Sequence, residues 1–368
     1  MASLESSASP RIRVLVIDDS AVMRRLLSDG LARDPALEVV GTAADPYIAR
    51  TKIERLQPDV LTLDVDMPRM DGLTFLAKLM RTNPMPVVMV SSGAPDVRAT
   101  TLRALELGAV NFVVKSSSEQ GGDMVLEVID KVREAALARP RVARSLPPVP
   151  ARPTPAGLVT PATVIAVGAS TGGTEAIRTL LTSLPTAVPG IVIVQHMPEH
   201  FTRTFAERCD QLSSLSVKEA EDGDEVLPGR VVIAPGNHHM RLVRAGGGYR
   251  VRLDQSPPVN RHRPSVDVLF HSVAEAAGGN AVGVLLTGMG ADGARGLAAL
   301  RAARARTIAE DESSCVVFGM PREAIALGAA EYVLPLPEIS AAVLALAARP
   351  PAAGRPVAAR RVNSAVDA

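Results

Sequence analysis

A serine stands on a glycine-rich turn within Thr163–Thr174, TVIAVGASTGGT. Ser170 follows the β-branched apolar run Val164–Val167 and precedes a helical pattern with apolar residues at Ile177, Leu180 and Leu181. Small neighbours let a carbonyl approach such a hydroxyl, and N–H groups at a helix start can hold developing negative charge. The turn also suits a phosphate-binding loop or a plain tight turn, because it is neither G-x-S-x-G nor a Walker loop. Two further polar residues stand after later apolar runs: His196 after Gly190–Gln195, and Asp292 in the loop GMGADG after Val282–Thr287. Parallel strands end on one side of a sheet, so these three residues can converge although they are distant in sequence. In a Ser–His–Asp set the imidazole takes the serine proton and the carboxylate fixes its tautomer and charge.

A second set of polar residues lies nearer the N-terminus. Asp18 and Asp19 follow the run Ile12–Ile17, Asp64 follows Val60–Leu63, Ser91 closes Pro86–Ser91, and Lys115 follows Val110–Val114. An isolated Asp–Asp pair would more simply cap a helix. Three carboxylates at one sheet edge repel each other unless a cation joins them, and an all-oxygen set suits Mg²⁺, which also binds phosphoryl oxygens. The hydroxyl and the ammonium could then hold the remaining oxygens.

The elements that position these groups alternate regularly. Strands over Ile12–Ile17, Glu38–Thr42, Val60–Leu63, Pro86–Ser91 and Val110–Val114 are separated by helices over Ser20–Arg33, Pro46–Leu56, Leu73–Met80 and Val97–Leu107, with a last helix over Val125–Leu137. Five βα units predict a doubly wound parallel sheet over residues 11–138. Residues 139–162 form a Pro/Arg-rich linker: the stretch 139–163 carries seven prolines and four arginines and cannot bury a core. A second α/β domain with a mostly parallel sheet is expected over 163–348, and a disordered tail over 349–368. Within the second domain the spacing predicts a helix from about Pro198, a strand at VVIAPG, a hairpin over Leu242–Leu253, helices over Val266–Ala277, Ala294–Ala303 and Arg322–Leu327, and strands at Thr307–Glu310 and Tyr332–Leu334. The fold class is thus α/β with two doubly wound sheets, flavodoxin-like and then Rossmann-like.

Composition narrows the function. A net charge of +1 and 2% aromatic residues give no basis for nucleic-acid binding. Two cysteines, Cys209 and Cys315, cannot form a disulfide framework and point to a reducing, cytoplasmic setting. No apolar run has the length of a membrane span, and the N-terminus lacks the apolar core of a signal peptide. Two literal motifs compete with the triad. Gly288–Gly293 matches G-x-G-x-x-G with Glu310 placed for a ribose, but a dinucleotide site leaves Ser170 and His196 unexplained. His196–His200 matches H-x-x-E-H, yet Pro198 should start the helix, so the two histidines would not share a helical face. His238 and His239 read as a polar loop feature.

The segments VLVIDDSAVMR, PDVLTLDVDMPRMDG, PMPVVMVSS and ALELGAVNFVVK resemble response-regulator receiver domains. The resemblance implies that Asp64 accepts a phosphoryl group from a histidine kinase. It implies Mg²⁺ bound by Asp19 and Asp64, with Asp18 helping through water and the Asp66 backbone carbonyl contributing. Ser91, Phe112 and Lys115 would be the switch hydroxyl, switch aromatic and phosphate-binding lysine. Ser116 stands where receivers commonly carry proline. The segments VGASTGGTEAI, VQHMPEHFTRTFAERCD, GRVVIAPGNHHM, RPSVDVLFHSVA, LLTGMGADGARGL and SSCVVFGMPREAI resemble the catalytic domain of the chemotaxis protein-glutamate methylesterases, the CheB family. This second resemblance implies Ser170 as nucleophile, His196 as base and acid, Asp292 as orienting carboxylate, a Met289 amide in the oxyanion hole and Thr171 positioning His196. It implies demethylation of glutamyl methyl esters and deamidation of glutamines on chemoreceptor cytoplasmic helices, with no cofactor for hydrolysis and no membrane insertion, gated by the receiver. The alternatives are the same esterase serving a non-chemotaxis receptor pathway, or a non-enzymatic two-component adaptor.

Overall fold

The computed structural model describes residues 10–92, 94–115, 121–139 and 162–348. The expected linker lies outside the described residues except at its two ends, and Ser116 and the expected tail lie outside them entirely.

The first domain runs β1 (Ile12–Ile17), α1 (Ala21–Leu31), β2 (Leu37–Ala43), α2 (Pro46–Leu56), β3 (Val60–Asp64), α3 (Gly72–Thr82), β4 (Val87–Ser92), α4 (Pro95–Glu106), β5 (Asn111–Lys115) and α5 (Gly121–Ala136). Its sheet has the order β2-β1-β3-β4-β5, and every pairing is parallel. Helices cover both faces, so the strands are buried on both sides and carry near-continuous apolar runs; Val14, Leu15, Val60, Leu61 and Leu63 have no exposed surface. The helix starts follow ordinary capping chemistry. Asp45 accepts from the N–H groups of Tyr47 and Ile48 ahead of Pro46, and Asp71 accepts from Thr74 N–H. The cap of α1 is Ser20, not the preceding aspartates. Asp18 and Asp19 are therefore released from the structural role that an Asp–Asp pair most often has.

The second domain runs β6 (Val164–Ala169), α6 (Gly173–Thr182), β7 (Gly190–Gln195), α7 (Phe201–Leu212), β8 (Ser216–Glu219), β9 (Glu225–Val226), β10 (Arg230–Ile233), β11 (His239–Ala245), β12 (Gly248–Asp254), α8 (Val266–Ala277), β13 (Ala281–Leu285), α9 (Ala294–Ala302), β14 (Arg306–Glu310), α10 (Met320–Ala326), β15 (Tyr332–Leu334) and α11 (Leu336–Ala347). Seven strands form a parallel sheet, β15-β14-β13-β6-β7-β10-β8, and β11-β12-β9 form a small antiparallel sheet. Strand order reverses between β6 and β13, which opens a crevice beyond their carboxyl ends. Gly168 sits against the start of α8: a Cβ there would lie 2.2 Å from Val266 Cγ1, so only glycine allows this approach.

The parallel core and the hairpin follow the sequence pattern closely. Two expectations need correction. Helix α7 starts at Phe201, three residues after Pro198, with His200 in the left-handed region at φ 72° as its cap. His239 is not a loop residue; it opens β11 and is fully buried. Strands β8 and β9 are short and polar, and alternation did not reveal them.

Candidate active site

Ser170, His196 and Asp292 all lie beyond the carboxyl ends of parallel strands, β6, β7 and β13 respectively. Ser170 is 7% exposed and its backbone is pinned on both sides. Its N–H donates to Thr287 O (3.0 Å), and its carbonyl accepts from Gly173 N–H (2.7 Å) and Gln195 Nε2 (2.9 Å). Gly288 approaches so closely that a Cβ there would stand 2.7 Å from Ser170 Cβ. His196 Nε2 and Asp292 Oδ2 are 2.8 Å apart, both nearly inaccessible. The other ring nitrogen, Nδ1, is buried with no hydrogen-bond partner. The His196 ring is stacked on His262, with centroids 3.7 Å apart and planes 13° from parallel. Burial, reinforced by His196, pushes the His262 imidazole down to about 3. His262 is thus a neutral plate behind the His196 ring at neutral pH.

Asp292 is held as an anion. Its oxygens accept from Asn260 Nδ2 (2.6 Å), Ser265 Oγ (2.7 Å), Val266 N–H (2.6 Å) and Asp267 N–H (3.2 Å), besides His196. The two amides belong to the first turn of α8, where a helix favours negative charge. Burial raises the carboxyl, but the bonds from His196, Asn260 and Ser265 outweigh it and leave the group well below the usual carboxylate range. Ser265 is itself the α8 cap, and its N–H donates to His239 Nδ1 (3.2 Å), whose Nε2 lies 3.1 Å from Pro257 O.

The first domain closes this site. Thr171 is engaged by the first domain: its hydroxyl donates to Glu134 Oε2 on α5 (2.7 Å) and accepts from Asn111 Nδ2 on β5 (3.2 Å). Phe112 and Phe201 pack across the boundary with ring centroids 4.6 Å apart. Arg208 on α7 pairs with Glu106 on α4 (2.9 Å). Met289 packs at the edge of a buried cluster that joins Val317 to Val128 and Val132 of α5. The space left beside Ser170 and His196 is a cavity of about 20 Å³, walled in part by Asn111, Phe112 and Lys131. That is room for about one water and no more.

The acidic residues meet at one edge of the first sheet. Asp18, Asp19 and Asp64 each offer an oxygen within 4.8 Å of the others. Lys115 Nζ bridges Asp18 Oδ2 (2.9 Å) and Asp64 Oδ2 (2.8 Å). Burial pushes the Asp64 carboxyl up to about 6, against the pull of Lys115. Burial lowers the Lys115 ammonium, but its bonds to Asp64 and Asp18 outweigh this and raise it. Asp66 N–H faces Asp64 Oδ1 at a long 3.4 Å, and the Asp66 side chain is exposed. Ser91 is fully buried, with its hydroxyl 3.0 Å from Thr101 Oγ1 on α4. It is therefore engaged away from the carboxylates.

The competing motifs dissolve on geometry. In the G-x-G-x-x-G loop, Gly288 packs on Ser170 and Asp292 turns to α8, while Glu310 is fully buried and accepts from Thr287 N–H (2.8 Å) and Ser314 Oγ (2.8 Å). No cluster of metal ligands forms around His196 and His200 among the described residues. Sequence reasoning missed Asn260, His262, Ser265, Glu134 and Asn111. Ser265 could have been found, as a serine just ahead of an apolar helical run; the others gain their partners only through tertiary packing.

Two family models match the chain: the CheB methylesterase over residues 165–343 and the response regulator receiver domain over residues 14–125. The chain is 56% identical over 340 residues to the protein-glutamate methylesterase/protein-glutamine glutaminase of Chromohalobacter salexigens, covering 91% of this chain and 96% of that one. It is 55% identical over 339 residues to the protein of the same name from Salmonella typhimurium, covering 91% and 97%. Among solved structures, the Thermotoga maritima CheB methylesterase catalytic domain is 43% identical, with a TM-score of 0.49, covering 50% of this chain and 98% of that one. With both domains matched and the relatives aligned along nearly their whole length, the chain belongs to the protein-glutamate methylesterase/protein-glutamine glutaminase family, with a receiver domain ahead of a CheB-type catalytic domain.

Proposed function

We propose that residues 163–348 hydrolyse glutamyl methyl esters, and glutamine side-chain amides, on the cytoplasmic helices of a chemoreceptor, and that residues 11–138 gate this activity by phosphorylation of Asp64. The observation that carries the reading is the buried His196–Asp292 pair, 2.8 Å apart, beside a serine that the first domain covers.

Ser170 Oγ attacks the γ-carbonyl carbon of the ester. Because His196 Nε2 is committed to Asp292, Nδ1 is the nitrogen left to take the serine proton. The tetrahedral oxyanion is held by amides at the start of α6 and in the Met289 loop. Collapse expels methoxide, which takes the proton from His196 and leaves as methanol; an amide substrate releases ammonia instead. A water then gives its proton to His196, attacks the acyl carbon and releases glutamate, and the proton returns to Ser170. Asp292, held anionic by α8 amides and three side chains, stabilises the transient imidazolium. Thr171 can turn from Glu134 toward the site only when the first domain moves, so its positioning role belongs to the open state.

The phosphodonor is a histidine kinase. An all-oxygen set of Asp18, Asp19 and Asp64, with the Asp66 carbonyl, fits Mg²⁺. The ion, when bound, supplies charge neutralisation for an incoming phosphoryl group. Lys115 then follows the phosphoryl oxygens on Asp64, and Ser91 exchanges Thr101 for the same oxygens. Both moves pull on β4, β5 and Phe112, which lies in the interdomain contact. Moving a 1:99 open population to 99:1 needs about 5.5 kcal/mol, within reach of a new dianion with several charge-assisted hydrogen bonds. The protein acts in the cytoplasm, where receptor helices and kinase are reached; no helix among the described residues is long and apolar enough to cross a membrane.

The test is methanol release from methylated receptor cytoplasmic fragments, with and without a small-molecule phosphodonor and Mg²⁺. Release should rise with the donor, vanish in Ser170→Ala and lose its donor response in Asp64→Asn. Persistent turnover in Ser170→Ala would refute the nucleophile, and a donor response in Asp64→Asn would refute the gate.

A further inference from the structure

Behind the triad, Val259 and His262 exchange both backbone hydrogen bonds, Val259 N–H to His262 O (3.0 Å) and His262 N–H to Val259 O (2.9 Å). The two residues between them, Asn260 and Arg261, both have positive φ, 53° and 68°. This is a type I′ turn, in which asparagine tolerates the left-handed position. The turn faces two elements of the site together. His262 stacks on the His196 ring, and Asn260 Nδ2 donates one hydrogen to Asp292 Oδ1 (2.6 Å) and the other to Asp267 Oδ2 (2.8 Å). Asp267 is anchored in turn, since its Oδ1 accepts from Gly296 N–H at the start of α9 (2.6 Å). We propose that Asn260 is a positioning residue for hydrolysis: its side-chain amide bridges Asp292 and Asp267 and so fixes the carboxylate that orients His196. The proposal rests on the triad reading above and adds to it a residue outside the triad.

The chemistry makes the amide more than a filler. A carboxylate has about four acceptor sites, and Asp292 meets five donors, three of them on Oδ1. Removing the Asn260 donor takes the shortest bond from Oδ1 (2.6 Å) and leaves that oxygen to Ser265 Oγ and the long Asp267 N–H (3.2 Å), so the carboxylate is held less firmly against the imidazole. It also leaves two carboxylates, Asp292 and Asp267, facing each other with no donor between them, so they repel and Asp292 is pushed off its place. The charged and titratable groups facing this pair are Asp267, the neutral His262, and Lys131 of the first domain across the cavity; Arg261 acts on His262 from the turn tip.

Two variants separate the amide from the turn. Asn260→Gly keeps the left-handed backbone without strain and deletes the donor. Asn260→Asp keeps the size and replaces both donated hydrogens with a third carboxylate. Methanol release by the full chain, with saturating phosphodonor and Mg²⁺, is measured against pH as a ratio to wild type, which cancels the pH response of the first domain. The expected result is a fall in kcat of roughly tenfold for Asn260→Gly and more for Asn260→Asp, the size of one lost hydrogen bond to a charged group. KM should hold within about twofold, because the amide touches no substrate. The acid limb should move in both, and histidine ¹⁵N spectra of the unphosphorylated chain should show displaced His196 ring signals without any turnover. Wild-type kcat and an unmoved acid limb in either folded variant overturn the proposal. Failure of both variants to fold would show a purely structural role and also overturn it. Ser170→Ala is measured alongside: if it keeps turnover, the triad reading itself fails, whereas a dead Ser170→Ala beside an unaffected Asn260→Gly removes only the positioning role.

Discussion

Glu134→Ala should raise the activity of the unphosphorylated protein about tenfold. Glu134 belongs to the first domain and touches the second through one strong contact, the hydroxyl of Thr171 at 2.7 Å. Its side chain is 15% exposed, so water screens the contact little. A hydrogen bond to a charged group contributes about 1.5–3 kcal/mol. The lower figure applies here, because the substitution also removes the cost of burying the carboxylate and breaks its pair with Lys131 at 3.1 Å. A loss of about 1.5 kcal/mol multiplies the open-to-closed ratio roughly tenfold, taking a 1% open population to about 10%. Arg208→Ala is the internal standard. Its pair with Glu106 crosses the same boundary at 2.9 Å, but the arginine is 39% exposed, and such pairs contribute about 0.2–1 kcal/mol, at most a fivefold effect. Thr171 itself is left intact, since it adjoins the nucleophile. The assay is methanol release without phosphodonor. Unchanged activity in Glu134→Ala, or a larger rise in Arg208→Ala, would refute the ranking and the view that the Thr171 contact holds the domains shut.

Three further outcomes are expected. The His262 imidazole titrates near 3 when folded and near 6.5 when unfolded, so its stabilisation is complete above about pH 6.5 and is lost as pH falls toward 3. Denaturant melts of the catalytic sheet should therefore weaken with acid by up to about 1.4 kcal/mol per pH unit, and His262→Gln should flatten that slope; equal slopes would contradict the burial argument. Gly168→Ala should destabilise the second domain by about 1–3 kcal/mol, read as a lower unfolding midpoint, because its Cβ would strike Val266 at the α8 start. Thr101→Val keeps the volume but removes the partner that engages Ser91 at 3.0 Å, so activation should reach its half-point at a lower phosphodonor dose; an unchanged dose response would show that this bond does not restrain the switch.

The fold and the meeting of Ser170, His196 and Asp292 at one sheet edge were legible because both rest on local pattern and strand order. Runs such as Val164–Val167 declare buried strands, and parallel strands bring Ser170, His196 and Asp292 to one edge whatever their separation. The acidic pocket was legible for the same reason. What the sequence did not show is whatever depends on a side chain meeting a partner from elsewhere. Glu134 reads as one more charge on an amphipathic helix, and only docking of α5 gives it Thr171. Asn260 lies in a stretch, PPVNRHRP, whose left-handed pair of residues carries no glycine to signal the turn. His239 next to His238 suggested a polar loop, because burial of an imidazole between Pro257 and Ser265 leaves no periodic trace.

The cover over Ser170 and the enzyme it covers are parts of one chain, joined by the stretch 139–162. A tethered inhibitor acts at an effective concentration set by the length and stiffness of its tether. Inhibition is then a first-order property of each molecule. Diluting the protein or raising its copy number leaves the closed fraction unchanged, and a separate receiver domain supplied in trans would have to reach that effective concentration to substitute for the tethered one. Output therefore scales with the number of phosphorylated molecules and not with the total, so a cell can vary how much of this protein it makes without altering the fraction that responds to a given signal.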